Sequence, residues 1–275
     1  MAISRRLLLA GCAMPALSAK KPAGIRIGVT DWNLKQSGKL EAIALAKRIG
    51  FEGVEVSLSR ASGTGRLLLE DPALVRQYLA EGAKHKIAFA GTCLLNLNQI
   101  CLVTERLAQN WLAAAIPITA KLKARVILVP FFGKCELKQP SQIDTLVGIL
   151  KEHAPAAQKA RVVLGIENYL SAKENMQILD RVASRAVKVY YDLKNSKDAG
   201  HDPYQELKLL GAARICQIHI KDKGYLGEGI MDYKQGMEII RAIGYRGFAN
   251  LELSAPSGSI ENDMRRNLEY IRQLM

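Results

Sequence analysis

Beyond its first two dozen residues the chain lacks any stretch near the roughly 20 apolar residues that a membrane-crossing helix needs. That excludes a helical integral membrane protein. Paired-cysteine motifs are missing too: the cysteines at 12, 93, 101, 135 and 216 form no C-x-x-C and no even framework. Cys93, Cys101 and Cys216 lie in apolar surroundings, where packing accounts for them better than zinc or disulfides. No G-x-G-x-x-G turn follows the first strand-like run, where VTDWNLKQSG stands instead, so a nucleotide-binding open sheet is disfavoured. Histidine is scarce, with only His85, His153, His201 and His219 in 275 residues.

What the chain has is positive charge: 39 Lys and Arg against 26 Asp and Glu, a formal +13. Such an excess raises the question of nucleic acid. Four of the cations, Arg5, Arg6, Lys20 and Lys21, belong to the N-terminal segment, and the others are spread along helices rather than gathered in one run. A basic, soluble surface with no nucleic-acid partner is the expectation.

Residues 1–22 read as an export signal: a basic start at Arg5-Arg6, an apolar stretch from Leu7 to Leu17, and small residues around Ala16, Ser18 and Ala19. SRRLLL resembles a twin-arginine signal, a route that carries folded proteins and suits a cofactor loaded before export. Leu9-Ala10-Gly11-Cys12 also resembles a lipoprotein box, which leaves lipidation at Cys12 open. The expected destination is the periplasm, without stable membrane insertion once the signal is removed. A cytoplasmic chain with an untidy start is the alternative.

Residues 23–275 read as one domain. From Ile25 onward short β-rich runs alternate with helical periodicity: IRIGVT, GVEVSL, IAFAGT, RVILVPF, VVLGIEN, VKVYYDL, ICQIHIKD and FANLEL, each followed by an amphipathic segment. AIALAKRIGFEGVEV and GMEIIRAIGYRGFANLEL repeat one helix-loop-strand unit, with Gly50 and Gly244 where a left-handed helix cap is needed. Asp232 opens D-x-x-Q, a capping-box-like helix start. Eight alternations in about 250 residues point to an α/β fold, a closed (β/α)8 TIM barrel.

In such a barrel chemistry sits at the carboxyl ends of the strands. Strands five to eight end in Glu167, Asp192, His219 and Glu252. Three carboxylates sharing a small volume drive one another's pKa values up, and a divalent cation relieves the conflict. Oxygen ligands with one imidazole suit Mn²⁺ best among Mn²⁺, Mg²⁺ and Co²⁺, with Zn²⁺ not excluded. Lys221 shares a strand face with His219 and is a candidate for binding a substrate oxygen or phosphate. Glu55 is placed to bond a substrate hydroxyl or to bridge to Lys221. Asn195 and His201 follow strand six and are candidates for touching substrate. Trp32 is placed to stack on a substrate ring or to pack under a loop.

These motifs, GFEGVEVS, GIENY, YYDLKNS, NLEL and above all H-x-K-D followed by L-G-E-G-x-x-D, resemble the xylose-isomerase-like barrel superfamily, often called the sugar phosphate isomerase/epimerase family. The resemblance covers about Ile25 to Leu274. It implies a metal held by Glu167, Asp192, His219 and Glu252. It also implies acid and base roles for Glu167 and Glu252, one removing a proton beside a carbonyl and the other returning it on the opposite face. The metal would stabilise the enediolate between the two steps. Two departures stand out: Asn195 where ketose 3-epimerases often carry histidine, and Tyr225 where they place an arginine.

The expected function is thus a divalent-metal-dependent isomerase or epimerase of a keto-sugar or related polyol. A lyase or dehydratase acting on an inosose or 3-keto-glycoside, and a non-catalytic sugar-binding barrel, are the alternatives. An endonuclease IV-like repair enzyme needs a three-zinc cluster and more histidines than this chain supplies. A homodimer is left open.

Overall fold

The computed structural model describes residues 24–61 and 63–275, so the expected signal and Cys12 lie outside the described residues. The elements run β1 Arg26–Thr30, α1 Glu41–Ile49, β2 Gly53–Ser57, α2 Pro72–His85, β3 Ala88–Cys93, α3 Arg106–Lys121, β4 Val126–Pro130, α4 Pro140–Ala160 and β5 Val163–Glu167. They continue with α5 Ala172–Val182, β6 Val187–Asp192, α6 Leu193–Asp198, α7 Pro203–Arg214, β7 Ile215–Ile220, α8 Tyr233–Ala242, β8 Phe248–Leu251 and α9 Ile260–Gln273. All strands are parallel, each pairs with the next, and β8 closes on β1. The expected (β/α)8 barrel is the fold.

Each strand is short and almost wholly buried, as expected where helices cover the sheet and side chains fill its interior. The helix starts are set by short polar side chains. Asp71, Asp202 and Asp232 accept backbone N–H bonds as N-caps, and Ser171 forms a reciprocal capping box with Glu174. The repeated unit is real: Gly50 (φ 113°) and Gly244 (φ 75°) end equivalent helices before β2 and β8.

Two helices run past where their sequence suggests they stop. The periodicity ends α3 near Ala115 and α4 near Ala154, just before Pro117 and Pro155, because proline lacks the N–H the helix interior uses. Both helices continue, to Lys121 and Ala160. Ile116, Ile118 and Thr119 are buried beyond the first proline and Ala157 beyond the second, so packing overrides the local preference.

The cysteine expectation needs a correction. Cys101 and Cys135 form a disulfide, Cα–Cα 5.0 Å, across 34 residues. β3 and β4 are neighbours, which brings the loops that leave their carboxyl ends side by side. Sequence spacing does not reveal that proximity. Cys93 is buried and Cys216 half-buried, and both are free thiols as expected.

Candidate active site

Strand alternation builds the site in two layers. Glu167, Asp192 and His219 lie at or next to the carboxyl ends of β5, β6 and β7, and Glu252 follows β8 by one residue. Their ligand atoms all lie within 4.8 Å of one another. Two residues back along three of these strands, Tyr190, Gln217 and Asn250 form a polar floor. Gly28 leaves space that the Asn250 side chain fills, and a Cβ on Gly91 would stand 3.0 Å from Gln217 Oε1.

Asp192 ends its strand and caps α6 at once. Its Oδ1 accepts the Asn195 N–H at 2.9 Å, while Oδ2 is buried with no hydrogen-bond partner. Asn195 in turn donates through Nδ2 to Glu167 Oε1 at 3.2 Å. Burial, then the Glu167 charge, push the Asp192 carboxyl up to about 7.

His219 is completely buried between carboxylates. Its Nε2 faces Glu55 Oε2 at 3.0 Å, and its Nδ1 faces Glu167 Oε1 at 3.2 Å and Glu252 Oε2 at 3.5 Å. Burial would lower its pKa, but the Glu252 and Glu167 charges and the bonds to Glu167 and Glu55 raise it well above the ordinary value. With Nε2–H donated to Glu55, a bare Nδ1 lone pair would face two carboxylates. A cation between them removes that conflict, as does a proton. An orphaned, buried Asp192 Oδ2 beside this nitrogen is what a divalent ion's ligand set looks like, so the residues fit a metal of the oxygen-preferring kind.

Glu252 is held at both oxygens: Trp32 Nε1 donates to Oε1 at 3.0 Å and Lys221 Nζ to Oε2 at 3.0 Å. Burial pushes its carboxyl up, yet His219 and Lys221 more than offset that and leave it below the ordinary range. Lys221 also lies 4.0 Å from Asp192 Oδ2. Trp32 meets the His219 ring edge-on, with centroids 6.0 Å apart.

Glu167 and Glu252 border a cavity of about 240 Å³, which Trp32, Phe132, Tyr169, Asn98, Asn195 and Lys221 help to line. Two placements differ from the sequence expectation. Glu55 neither lines the cavity nor pairs with Lys221: it is fully buried beneath His219, bonded to Tyr190 Oη at 2.8 Å and to Asn250 Nδ2 at 3.3 Å. His201 turns its Nε2 to the Tyr169 carbonyl at 3.2 Å, so it supports a cavity wall rather than lining it. Tyr225 bonds Asp263 at 2.8 Å and lies under the Arg266 guanidinium, away from the cavity. The aromatic pair Phe132–Tyr169, centroids 4.9 Å apart, was not anticipated. Its residues sit in loops with no periodicity to mark them. The floor was more legible: Gln217 and Asn250 are polar intruders two residues before His219 and Glu252.

A model of the xylose isomerase-like TIM barrel matches residues 43–274. The chain belongs to that family. Among curated proteins it is 28% identical over 202 residues to a 2-epi-5-epi-valiolone 7-phosphate 2-epimerase of Actinoplanes, covering 72% of each chain. Among solved structures, D-psicose 3-epimerase of Clostridium cellulolyticum H10 superposes with a TM-score of 0.77 at 15% identity, over 90% of this chain and 99% of that one. A 3-keto-D-glucoside 4-epimerase of E. coli gives 0.75 at 16% identity, over 90% and 99%. All three relatives are epimerases. No described helix is long and apolar enough to cross a membrane.

Proposed function

We propose that the protein is a divalent-metal-dependent epimerase or isomerase of a keto-sugar or related polyol, with Glu167, Asp192, His219 and Glu252 as metal ligands and Glu167 and Glu252 as the proton-transfer pair. The observation that carries this reading is that a buried carboxylate at the end of β5 and a half-buried one just after β8 both line one small cavity, with ligand atoms within 4.8 Å of each other. A bound Mn²⁺ or similar ion would polarise the substrate's carbonyl and make the neighbouring C–H acidic. Glu252, held ionised by His219, Lys221 and Trp32, takes a proton from one face. Glu167, steadied by the Asn195 amide, is placed to deliver one on the other. Phe132, Tyr169 and Trp32 give the cavity apolar walls against which a sugar ring can lie.

Lys221 is committed to Glu252 and is the single cation lining the cavity among the described residues. That favours an unphosphorylated substrate. Export favours it too, because sugar phosphates belong to the cytoplasm. We place the protein outside the cytoplasm through a twin-arginine-like signal at residues 1–22; the Cys101–Cys135 disulfide supports this reading, since such bonds persist in oxidising compartments.

The test is exchange of substrate C–H for solvent deuterium. A panel of unphosphorylated ketoses with Mn²⁺ should show exchange at the carbon beside the carbonyl. Glu167→Gln and Glu252→Gln should each slow it about 10²–10⁴-fold while still binding Mn²⁺ more weakly. Metal binding without exchange on any ketose, inosose or keto-glycoside would instead leave a sugar-binding barrel.

A further inference from the structure

A second cavity, about 690 Å³, opens at the opposite end of the barrel. Its origin is a gap in the sheet. β3 and β4 share only two paired positions, Thr92 with Ile127 and Cys93 with Leu128, whereas β4 and β5 share five. The first residues of β3 therefore have no register partner on β4, and the Ala90 carbonyl is met by the Gln217 side chain instead. Leu79, Phe89, Val126 and Phe248 line the opening and give it an apolar floor.

Five cations from different parts of the chain surround that floor. Arg26 starts β1, Lys86 follows α2, Lys123 and Arg125 precede β4, and Arg246 precedes β8. No aspartate or glutamate lines the cavity. Among the described residues none of the five belongs to an ion pair. Arg26 lays its guanidinium 3.9 Å from the centroid of the Phe248 ring, which holds one cation against the apolar floor. Unpaired like charges around a concave, low-dielectric wall repel one another and focus a positive potential into the opening. The amino end of such a barrel holds no catalytic residues, so the reaction gives these charges no work.

We propose that this cavity binds a small organic anion: a flat apolar body resting on Phe89 and on the Arg26 guanidinium that covers Phe248, with carboxylate, phosphate or sulfonate groups reaching Lys123, Arg125 and Arg246. Arginine and lysine around an aromatic floor supply both halves of that recognition, forked donors for the anion and a π-face for the ring. The site is independent of the metal cluster and stands whether or not the protein is an epimerase.

The probe is 1-anilinonaphthalene-8-sulfonate, titrated by fluorescence into the full-length protein at low salt. A saturable single site is expected, weakened as salt rises. Lys123→Glu/Arg125→Glu should weaken it at least about tenfold. Arg246→Glu, an exposed change on another part of the rim, should give a loss of the same sign in case the double variant folds poorly. A control of equal charge change on distant helices, Lys47→Glu/Lys208→Glu, should leave affinity within about twofold. Non-saturable binding, equal losses in both double variants, or no loss in either would overturn the proposal.

Discussion

Acid gathers at one rim of this barrel and base at the other. At the carboxyl end, Glu167, Asp192 and Glu252 crowd around His219, and the first two are each 4% exposed. At the amino end, Lys86, Lys123, Arg125 and Arg246 are exposed around a wider opening. Burial is the difference that matters. Carboxylates withdrawn from water cannot remain charged side by side, so the mouth needs a tightly held cation or a proton. Cations on a solvated rim are screened, so the other end tolerates being empty and calls only for a reversible anion. The lesson is that like-charge clusters of similar size make different demands according to the water they keep.

The comparison can be broken at its mouth end first. The largest effect expected is on turnover: Glu252→Gln should slow proton exchange about 10²–10⁴-fold, the usual worth of a positioned general acid or base, with little change in melting temperature. A variant retaining wild-type exchange would remove Glu252 from the chemistry. Next is the disulfide, which ties the two loops leaving β3 and β4 over the mouth. Cys101→Ser/Cys135→Ser should lose about 3 kcal/mol of stability by denaturant titration. Metal uptake should persist, since neither cysteine touches the ligand set. An unchanged midpoint would show that the loops hold their places without it.

Asp31 tests burial directly, without a metal ligand in the way. It accepts bonds from the Gly38 and Ser57 amides and from the Ser57 hydroxyl, yet burial still pushes it up to about 6. The folded state therefore holds the proton more tightly than the unfolded chain, whose aspartates titrate near ~4. The stabilisation is complete below about pH 4 and is lost as pH rises through about 6, amounting to about 3 kcal/mol at most. The stability difference between wild type and Asp31→Asn should shrink over that window. A constant difference would mean that the carboxyl titrates normally.

The smallest effect sharpens the comparison from below the mouth. Glu55 fixes His219 by accepting at Nε2, which leaves Nδ1 for a cation. Glu55→Gln should weaken Mn²⁺ about 10–100-fold by calorimetry, while Glu55→Asp recovers part of the loss. Equal affinity in all three proteins would reduce Glu55 to filling.

Much of this could be read from the chain. Periodicity and glycine caps gave the barrel because alternation of period 2 with period 3.6 is a local signal, and strand ends gave the ligand set because the fold makes them converge. What stayed hidden depends on neighbours distant in sequence. Glu55 was misplaced because strand phase does not say how deep a residue sits, and it lies two residues short of the end of β2. The loop holding His201 lies near the site, but the sequence does not give the direction its ring takes. The disulfide and the Phe132–Tyr169 wall depend on adjacent loops meeting in space. Pro117 and Pro155 look like helix ends until the burial around them is known.

The central claim is that the acidic mouth is built around a divalent ion, and metal analysis of the purified protein after incubation with Mn²⁺ tests it most directly. The account predicts a single bound ion per chain, lost in Glu167→Gln/His219→Ala although that variant keeps its fold. No bound metal in the wild type, or equal metal in both proteins, would contradict it.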